Sequence, residues 1–269
     1  MAKLLFELKE AYFSYLGKIP ALCGIDLTIE QGSKVTIVGA NGTGKTTLLA
    51  MLDALIFPDK GSIKAFEREL KEDVLEDSGF SRFFRSKVGF VFQNPEVQLF
   101  CPTVKDDIVF GPLQLGVAQE EIKKRLDIII SELKISHLLD RSPNQLSIGE
   151  KRKVAIASVL AIKPDVLLLD EPTAGLDPQT TRDIIDILLA ENEAGKTIIT
   201  ATHDLHIAQE ISDVVHVFGF EKKIIRSASA NEILSDQQFL QMHNLIHIHR
   251  HRHEDKIHSH PHQHLEHHS

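Results

Sequence analysis

The sequence predicts an α/β fold on a mostly parallel central sheet, and three observations predict it. Short, nearly all-apolar runs recur at Val35–Val38, Val88–Phe92, Val166–Leu169, Thr197–Ala201 and Val214–Phe218. Strands of that kind are buried on both faces, as in parallel sheets covered by helices. Helix-period segments separate them. The chain has 269 residues and is 42% hydrophobic, enough for one large core.

Taken in order, the chain opens with strand alternation at Leu4–Leu8 and Ile25–Ile29, and Gln31-Gly32 offers a turn. Val35–Val38 enters a glycine-rich turn. A helix follows from about Gly44, with Leu48, Leu49 and Leu52 on one face. Residues 67–86 show no clear period and predict no element. After the strand Val88–Phe92, a helical block is expected from Thr103 to Leu160, and Thr103 with Asp106 suits a capped start. Within it Ile122, Leu126, Ile129 and Leu133 recur at spacings of four, three and four, which makes an amphipathic helix. The helix between the strands at Val166 and Thr197 carries Ile184, Ile187 and Leu188. No internal repeat is present.

Charge and hydropathy exclude several functions. Against 30 Lys and Arg stand 38 Asp and Glu, a net charge of −8. From His243 onward Arg250, Arg252 and Lys256 cancel Glu254, Asp255 and Glu266, so the whole excess of acid lies on residues 1–242. Such a body argues against nonspecific nucleic-acid binding, which needs clustered cations. No apolar run approaches the roughly 18 residues that cross a bilayer. Glu7 interrupts what would be the core of a secretion signal. Cys23 and Cys101, 78 positions apart, read as free thiols in a reducing compartment.

The chemistry-bearing motifs follow. Gly39-Ala40-Asn41-Gly42-Thr43-Gly44-Lys45-Thr46 matches G-x-x-x-x-G-K-[ST] between a predicted strand and a predicted helix that Thr47 continues. Glycines let successive N–H groups surround a phosphate oxyanion, and the helix start points its positive end at the same place. Lys45 adds a mobile charge, and the Thr46 hydroxyl can ligate Mg²⁺. Asp170-Glu171 closes the strand Val166–Leu169, at the sheet edge where α/β ligands sit. Asp170 can hold Mg²⁺ through a water, and Glu171 can polarise an attacking water. A solvated strand end is the plain alternative. Ser147 and Glu150 form the S-x-x-E capping box, which is a complete structural explanation. The same helix start, with the Ser147 hydroxyl and the Gly149 N–H, could bind an anion instead. His203, Gln93 and Tyr15 are ambiguous alone. His203 could bond a phosphate oxygen, the Gln93 amide oxygen suits Mg²⁺, and Tyr15 could stack on adenine or simply pack.

The order P-loop, Gln93, Leu146–Glu150, Asp170-Glu171, Asp177 and His203 resembles ATP-binding cassette ATPase subunits over about residues 3–235. The resemblance implies a P-loop NTPase fold with an antiparallel β subdomain and a helical subdomain at about 94–160, in an ATPase domain of residues 1–242. It implies ATP and Mg²⁺, with the nucleotide held by Tyr15, residues 39–47, Gln93 and Asp170. It makes Glu171 the catalytic base and His203 the switch histidine. Ser147, Gly149 and Glu150 become the signature, and Asp177 lies in the inter-subunit turn. In that family two copies pair head to tail around ATP. This chain carries one copy, so a second ATPase subunit is implied, identical or related. Two positions depart from the usual LSGGQ. Ile148 replaces the first glycine, at an outward position. Glu150 replaces the glutamine, and its carboxylate would repel phosphates unless it folds back onto the Ser147 N–H.

Val88–Phe100 and Thr103–Pro112 resemble the ATPases of energy-coupling-factor importers, especially the cobalt and nickel branch. That resemblance implies a peripheral place on the cytoplasmic face of the membrane, a transmembrane coupling subunit and a separate membrane subunit that recognises substrate. The residues after Gln93 would grip a coupling helix. A vitamin importer and a non-transport ATPase of DNA repair or translation stay as alternatives, the latter usually with a coiled-coil insertion or fused units, which this sequence lacks.

Eleven of the 15 histidines lie between His243 and His268, and residues 243–269 are expected to be a flexible tail. His247, His249, His251 and His253 alternate, as do His258, His260, His262 and His264. Alternate residues of an extended chain share a face, and neutral imidazole suits Ni²⁺ or Co²⁺. An inert polar tail is the rival reading, as is a purification tag, which would normally be one unbroken run.

Overall fold

A computed structural model describes the backbone of residues 3–253 and 256–262 and the side chains of residues 3–246. Strands β1 (Leu4–Tyr15) and β2 (Ile19–Glu30) form a long antiparallel hairpin. They outrun the alternating cores at Leu4–Leu8 and Ile25–Ile29 because register shifts near Ala11 bend the pair without ending it. β3 (Lys34–Val38) leads to α1 (Lys45–Leu52), then β4 (Lys60–Ala65) and β5 (Arg68–Glu69). β2, β1, β4 and β5 make an antiparallel sheet in that order.

Residues 67–86 are structured after all, as β5, α2 (Glu72–Glu76) and α3 (Ser78–Lys87). No single period runs through them because three short elements share the segment; α3 buries Phe80 and Phe84, while Phe83 stays 41% exposed against Phe66. The Asp77 carboxylate caps the helix by accepting from the Gly79 N–H at 2.9 Å. β6 (Val88–Val91) follows. The block expected at 103–160 is three helices, α4 (Val104–Gln114), α5 (Gln119–Glu132) and α6 (Ile148–Leu160), with two single 3₁₀ turns between α5 and α6. Gly116 and Lys134, both at positive φ, mark the breaks. Thr103 caps α4 through the Asp106 N–H, and α5 buries Ile122, Leu126 and Ile129 as its spacing predicts.

The remaining elements are β7 (Val166–Asp170), α7 (Pro178–Glu193), β8 (Thr197–Thr202), α8 (Leu205–Ile211), β9 (Val214–Phe218), β10 (Ile224–Ala228), α9 (Ala230–Ser235) and α10 (Gln237–Met242). The central sheet runs β10-β9-β3-β8-β7-β6, parallel except for β10. One core joins the antiparallel sheet, α1 and α3 to the central sheet, and another joins α4–α7 to it. β3, β7 and β8 therefore end together at one sheet edge, the place for a site. A third cluster continues past the expected boundary at residue 242, because Leu245 and Ile246 pack with Leu240 and Val215. Beyond it, where no regular structure was expected, the backbone pairs β11 (His247–His253) with β12 (Lys256–His262).

Candidate active site

From Val38 the chain reverses over Gly39–Gly44 into α1. Gly44 heads that helix at φ 112°, and a Cβ there would lie 2.4 Å from the Ala21 carbonyl oxygen. Gly39 is needed for space, since its Cβ would meet Thr43 Oγ1 at 2.8 Å and the Phe218 carbonyl at 2.9 Å. No side chain caps α1. Its first N–H groups are left for an anion.

Lys45 is 6% exposed and folds back on the turn. Its Nζ donates to the Gly39 carbonyl at 2.8 Å and the Ala40 carbonyl at 3.3 Å, and lies 4.0 Å from Glu171 Oε1. Burial pushes its pKa down, and Glu171 and Asp170 push it back up. These carbonyl partners are weak ones that a phosphate could replace.

Asp170 ends β7. The Thr46 hydroxyl donates to its Oδ2 at 2.7 Å, while Oδ1 is buried with no hydrogen-bond partner. Burial raises the Asp170 pKa most, with the Thr46 bond opposing it. A buried acceptor without a donor is costly unless a cation completes it. Gln93 lines the same cleft. Thr46, Asp170 and Gln93 thus offer the oxygen donors that Mg²⁺ takes, and the site fits that ion.

Glu171 stands in the left-handed region at φ 47°, held by its N–H bond to the Ala201 carbonyl at 2.8 Å. For a residue other than glycine this is strained. Its Oε1 is 2.8 Å from His203 Nδ1, and its Oε2 accepts from the Thr202 hydroxyl at 3.0 Å. The hydrogen bond to Glu171 raises the His203 pKa. Neighbouring ends of β7 and β8 thus bring an acid and a histidine together from 32 residues apart.

Lys45, Thr46, Gln93, Asp170 and Glu171 line a cleft of about 410 Å³. The Tyr15 hydroxyl lies 3.2 Å from Thr47 Oγ1, and its ring meets Phe13 edge-on at 5.0 Å. Ile19 and Pro20 continue that wall. Ser147, Gly149, Glu150 and Asp177 do not line the cleft. At the start of α6, Glu150 Oε2 accepts the Ser147 N–H at 2.8 Å and the Ser147 Oγ accepts the Glu150 N–H at 3.3 Å. The first of these bonds lowers the Glu150 pKa. Ile148 is 64% exposed, an outward position as expected. Gly149 packs on Thr180, whose N–H and hydroxyl both donate to the Asp177 carboxylate. The α6 start and the Asp177 turn are one packed unit.

Three residues that sequence reasoning passed over join the site. Arg152, 2% exposed on α6, donates to the Phe92 carbonyl at 2.7 Å and the Gln93 carbonyl at 2.6 Å. Gln98 accepts the Phe92 N–H and donates to the Ala155 carbonyl at 2.9 Å. The segment after Gln93 is therefore bolted to α6. Lys222 reaches from the β9–β10 turn to the Gly42 carbonyl. The repeated cation and amide on α6 and in residues 92–98 were the available signal for the first two; Lys222 had none.

A glycine-turn cradle, a buried lysine and paired carboxylates at one edge of a parallel sheet define a P-loop ATPase. Residues 22–174 match the ABC transporter family. The chain is 47% identical over 245 residues to the nickel import ATP-binding protein NikO of Rhodobacter capsulatus, covering 90% of this chain and 95% of that one. It is 39% identical over 241 residues to the energy-coupling factor transporter ATP-binding protein EcfA of Methanosphaera stadtmanae, covering 90% and 85%. The solved structure of cbiO1 from Clostridium perfringens, part of the ABC transporter complex cbiONQ, superposes with a TM-score of 0.76 at 35% identity, covering 90% and 95%. The chain belongs to the ABC transporter family as an ATP-binding subunit, and it is an ATPase.

Among the described residues no helix is long and apolar enough to cross a membrane, and both cysteines are free thiols. No group of three or more His, Cys, Asp or Glu side chains placed to hold a metal ion occurs among them. The tail histidines from His247 onward lie outside the described side chains, and His264 lies outside the described residues.

Proposed function

We propose that this subunit powers import of nickel or cobalt ions, working at the cytoplasmic face of the membrane as half of an ATPase pair. The observation that carries the pairing is the separation within one chain. Lys45, Thr46, Asp170 and Glu171 share a cleft, with His203 bonded to Glu171, and the Ser147 helix start does not line it. A second subunit, identical or related, then supplies the Ser147 hydroxyl and the Gly149 N–H to the phosphates from the side opposite Lys45, with Asp177 at the seam. Relatives named as nickel import and energy-coupling-factor subunits support the cargo and the class of importer.

The residues divide the work as follows. Tyr15 stacks on adenine. The N–H groups of residues 39–47 and Lys45 bind the β and γ phosphates. Thr46, Asp170 and Gln93 would hold Mg²⁺, which neutralises phosphate charge when bound. Glu171 is the general base. Without nucleotide it is engaged, with His203 at 2.8 Å and Lys45 at 4.0 Å. A γ-phosphate competes for both cations, so its arrival frees Glu171 to take a proton from water, and His203 turns to a phosphate oxygen. ATP thereby favours the closed pair and hydrolysis releases it.

A transmembrane coupling subunit docks beside Gln93. Val97 and Phe100 are each 67% exposed there, and Phe100 meets Phe110 edge-on at 5.0 Å, an apolar surface suited to a coupling helix. Arg152 and Gln98 carry its movement into α6. A separate membrane subunit recognises the ion. A vitamin importer of the energy-coupling-factor class is the second reading, and the EcfA relative supports that class of transporter. Uptake of Ni²⁺ and Co²⁺ by cells expressing the chain with its membrane partners tests this. Uptake should stop with Glu171→Gln. Uptake that persists in that variant, or transport of a vitamin instead of metal, contradicts the proposal.

A further inference from the structure

The ATP cleft leaves the C-terminal hairpin unused. β11 begins directly after Ile246, the last residue of the third core cluster among the described side chains. Its register pairs His247 with His262, His249 with His260, and His251 with His258. Residues directly opposite on an antiparallel pair share a face, and alternate residues along each strand return to that face. The three histidine pairs therefore form successive rungs on a single face, and His253, opposite Lys256, ends the row. The other face carries Ile248 with Pro261, Arg250 with Ser259 and Arg252 with Ile257, and no histidine.

This pairing adds something that alternation along one strand does not. Neighbours on one face of a strand are about 6.6 Å apart along the chain, whereas opposed residues have Cβ atoms about 4.5–5.5 Å apart. Two rungs together place four histidine positions, two from each strand, on one face of the hairpin. We propose that the hairpin is a transition-metal site in which both strands contribute imidazoles to each bound ion. The chemical class is a borderline divalent cation, Ni²⁺ or Co²⁺ with Cu²⁺ and Zn²⁺ as competitors. Mg²⁺ prefers oxygen and is not held, so the hairpin does not draw on the ion used with ATP. Metal binding stands on the register alone. Its purpose, keeping cargo metal beside the importer, rests on the metal-import reading above.

The test is calorimetric titration of NiCl₂ and CoCl₂ into the full chain, produced without an affinity tag. Two truncations are compared with it, one ending at Ile246 and one ending at Asp255. The first should lose Ni²⁺ binding while keeping its thermal melt and its ATPase rate. The second keeps the four alternating histidines of β11 and should bind each ion roughly tenfold more weakly or worse, because the opposing strand is gone. Unchanged Ni²⁺ binding after truncation at Ile246 would show that the tail is not the site. Unchanged affinity per ion after truncation at Asp255 would overturn the shared face. In the uptake assay, cells that import no metal while the hairpin titrates normally contradict the import reading and leave the site standing.

Discussion

Helices α1 and α6 both begin at positions where a phosphate could bind, and they are finished in opposite ways. α1 starts at Gly44 with no side-chain cap and no acidic residue in its first turn. α6 starts at Ser147 with a full capping box, and Glu150 brings a carboxylate into its first turn. The open helix end keeps its N–H groups available and has Lys45 beside them. The closed one spends its Ser147 N–H on Glu150. A bare helix start is costly without an anion, and a capped one is stable without it. On the proposed pairing, nucleotide should bind first at α1, and α6 should join once a second subunit brings it to a phosphate already in place. Glu150 folded onto Ser147 is held in its charged form, so a phosphate brought to α6 would still meet a carboxylate there.

The comparison can be broken most forcefully at α1. Lys45→Ala should cut steady-state ATP turnover about a hundredfold or more, since a preorganised cation at the developing charge is lost. Glu171→Gln should cut it by a similar or larger factor, in the range of 10²–10⁴ typical of a lost general base, while ATP binding survives. A next-largest effect is expected at the bolt that ties α6 to Gln93. Arg152→Met leaves the Phe92 and Gln93 carbonyls without donors and should cost roughly 1–3 kcal/mol in a denaturant melt, with Arg152→Lys recovering part of it.

Smaller effects are expected at the α6 start. Glu150→Gln removes repulsion and should raise turnover severalfold; a fall would mean the carboxylate helps rather than hinders. Glu150→Ala should lower helix stability by about 1 kcal/mol through loss of the cap. The Glu150 pKa is lowered by the Ser147 N–H. Its contribution is therefore present above the ordinary glutamate range and is lost as pH falls through the lowered value. The stability gap between wild type and Glu150→Ala, followed by thermal melts, should narrow as pH falls below the ordinary glutamate range and close once it has passed the lowered Glu150 value. A gap that stays constant would place the stabilisation outside the carboxylate.

Much of this was legible in the sequence because the physics is local. Gly39–Thr46 reads as a phosphate turn because only glycine fits at Gly44 beside Ala21. The S-x-x-E spacing and the apolar ladder of α5 read correctly for the same reason. The aromatic helix α3 did not, although Phe80, Phe83 and Phe84 stand at helical spacing, because the charged segment 67–86 holds a short strand and two short helices whose patterns mask one another. The engagement of Glu171 by His203 depends on adjacent strand ends, and the Lys222 contact spans 180 positions. The histidine face depends on a strand register. Such contacts are set by the tertiary fold, so no neighbouring residues announce them.

Sedimentation velocity of the Glu171→Gln protein with and without saturating Mg-ATP bears on the paired site most directly. The species should be monomeric without nucleotide and dimeric with ATP, and Ser147→Arg should restore the monomer in the presence of ATP. A protein that remains monomeric at saturating ATP, or a dimer indifferent both to nucleotide and to Ser147→Arg, would contradict a phosphate held between α1 of one subunit and α6 of the other.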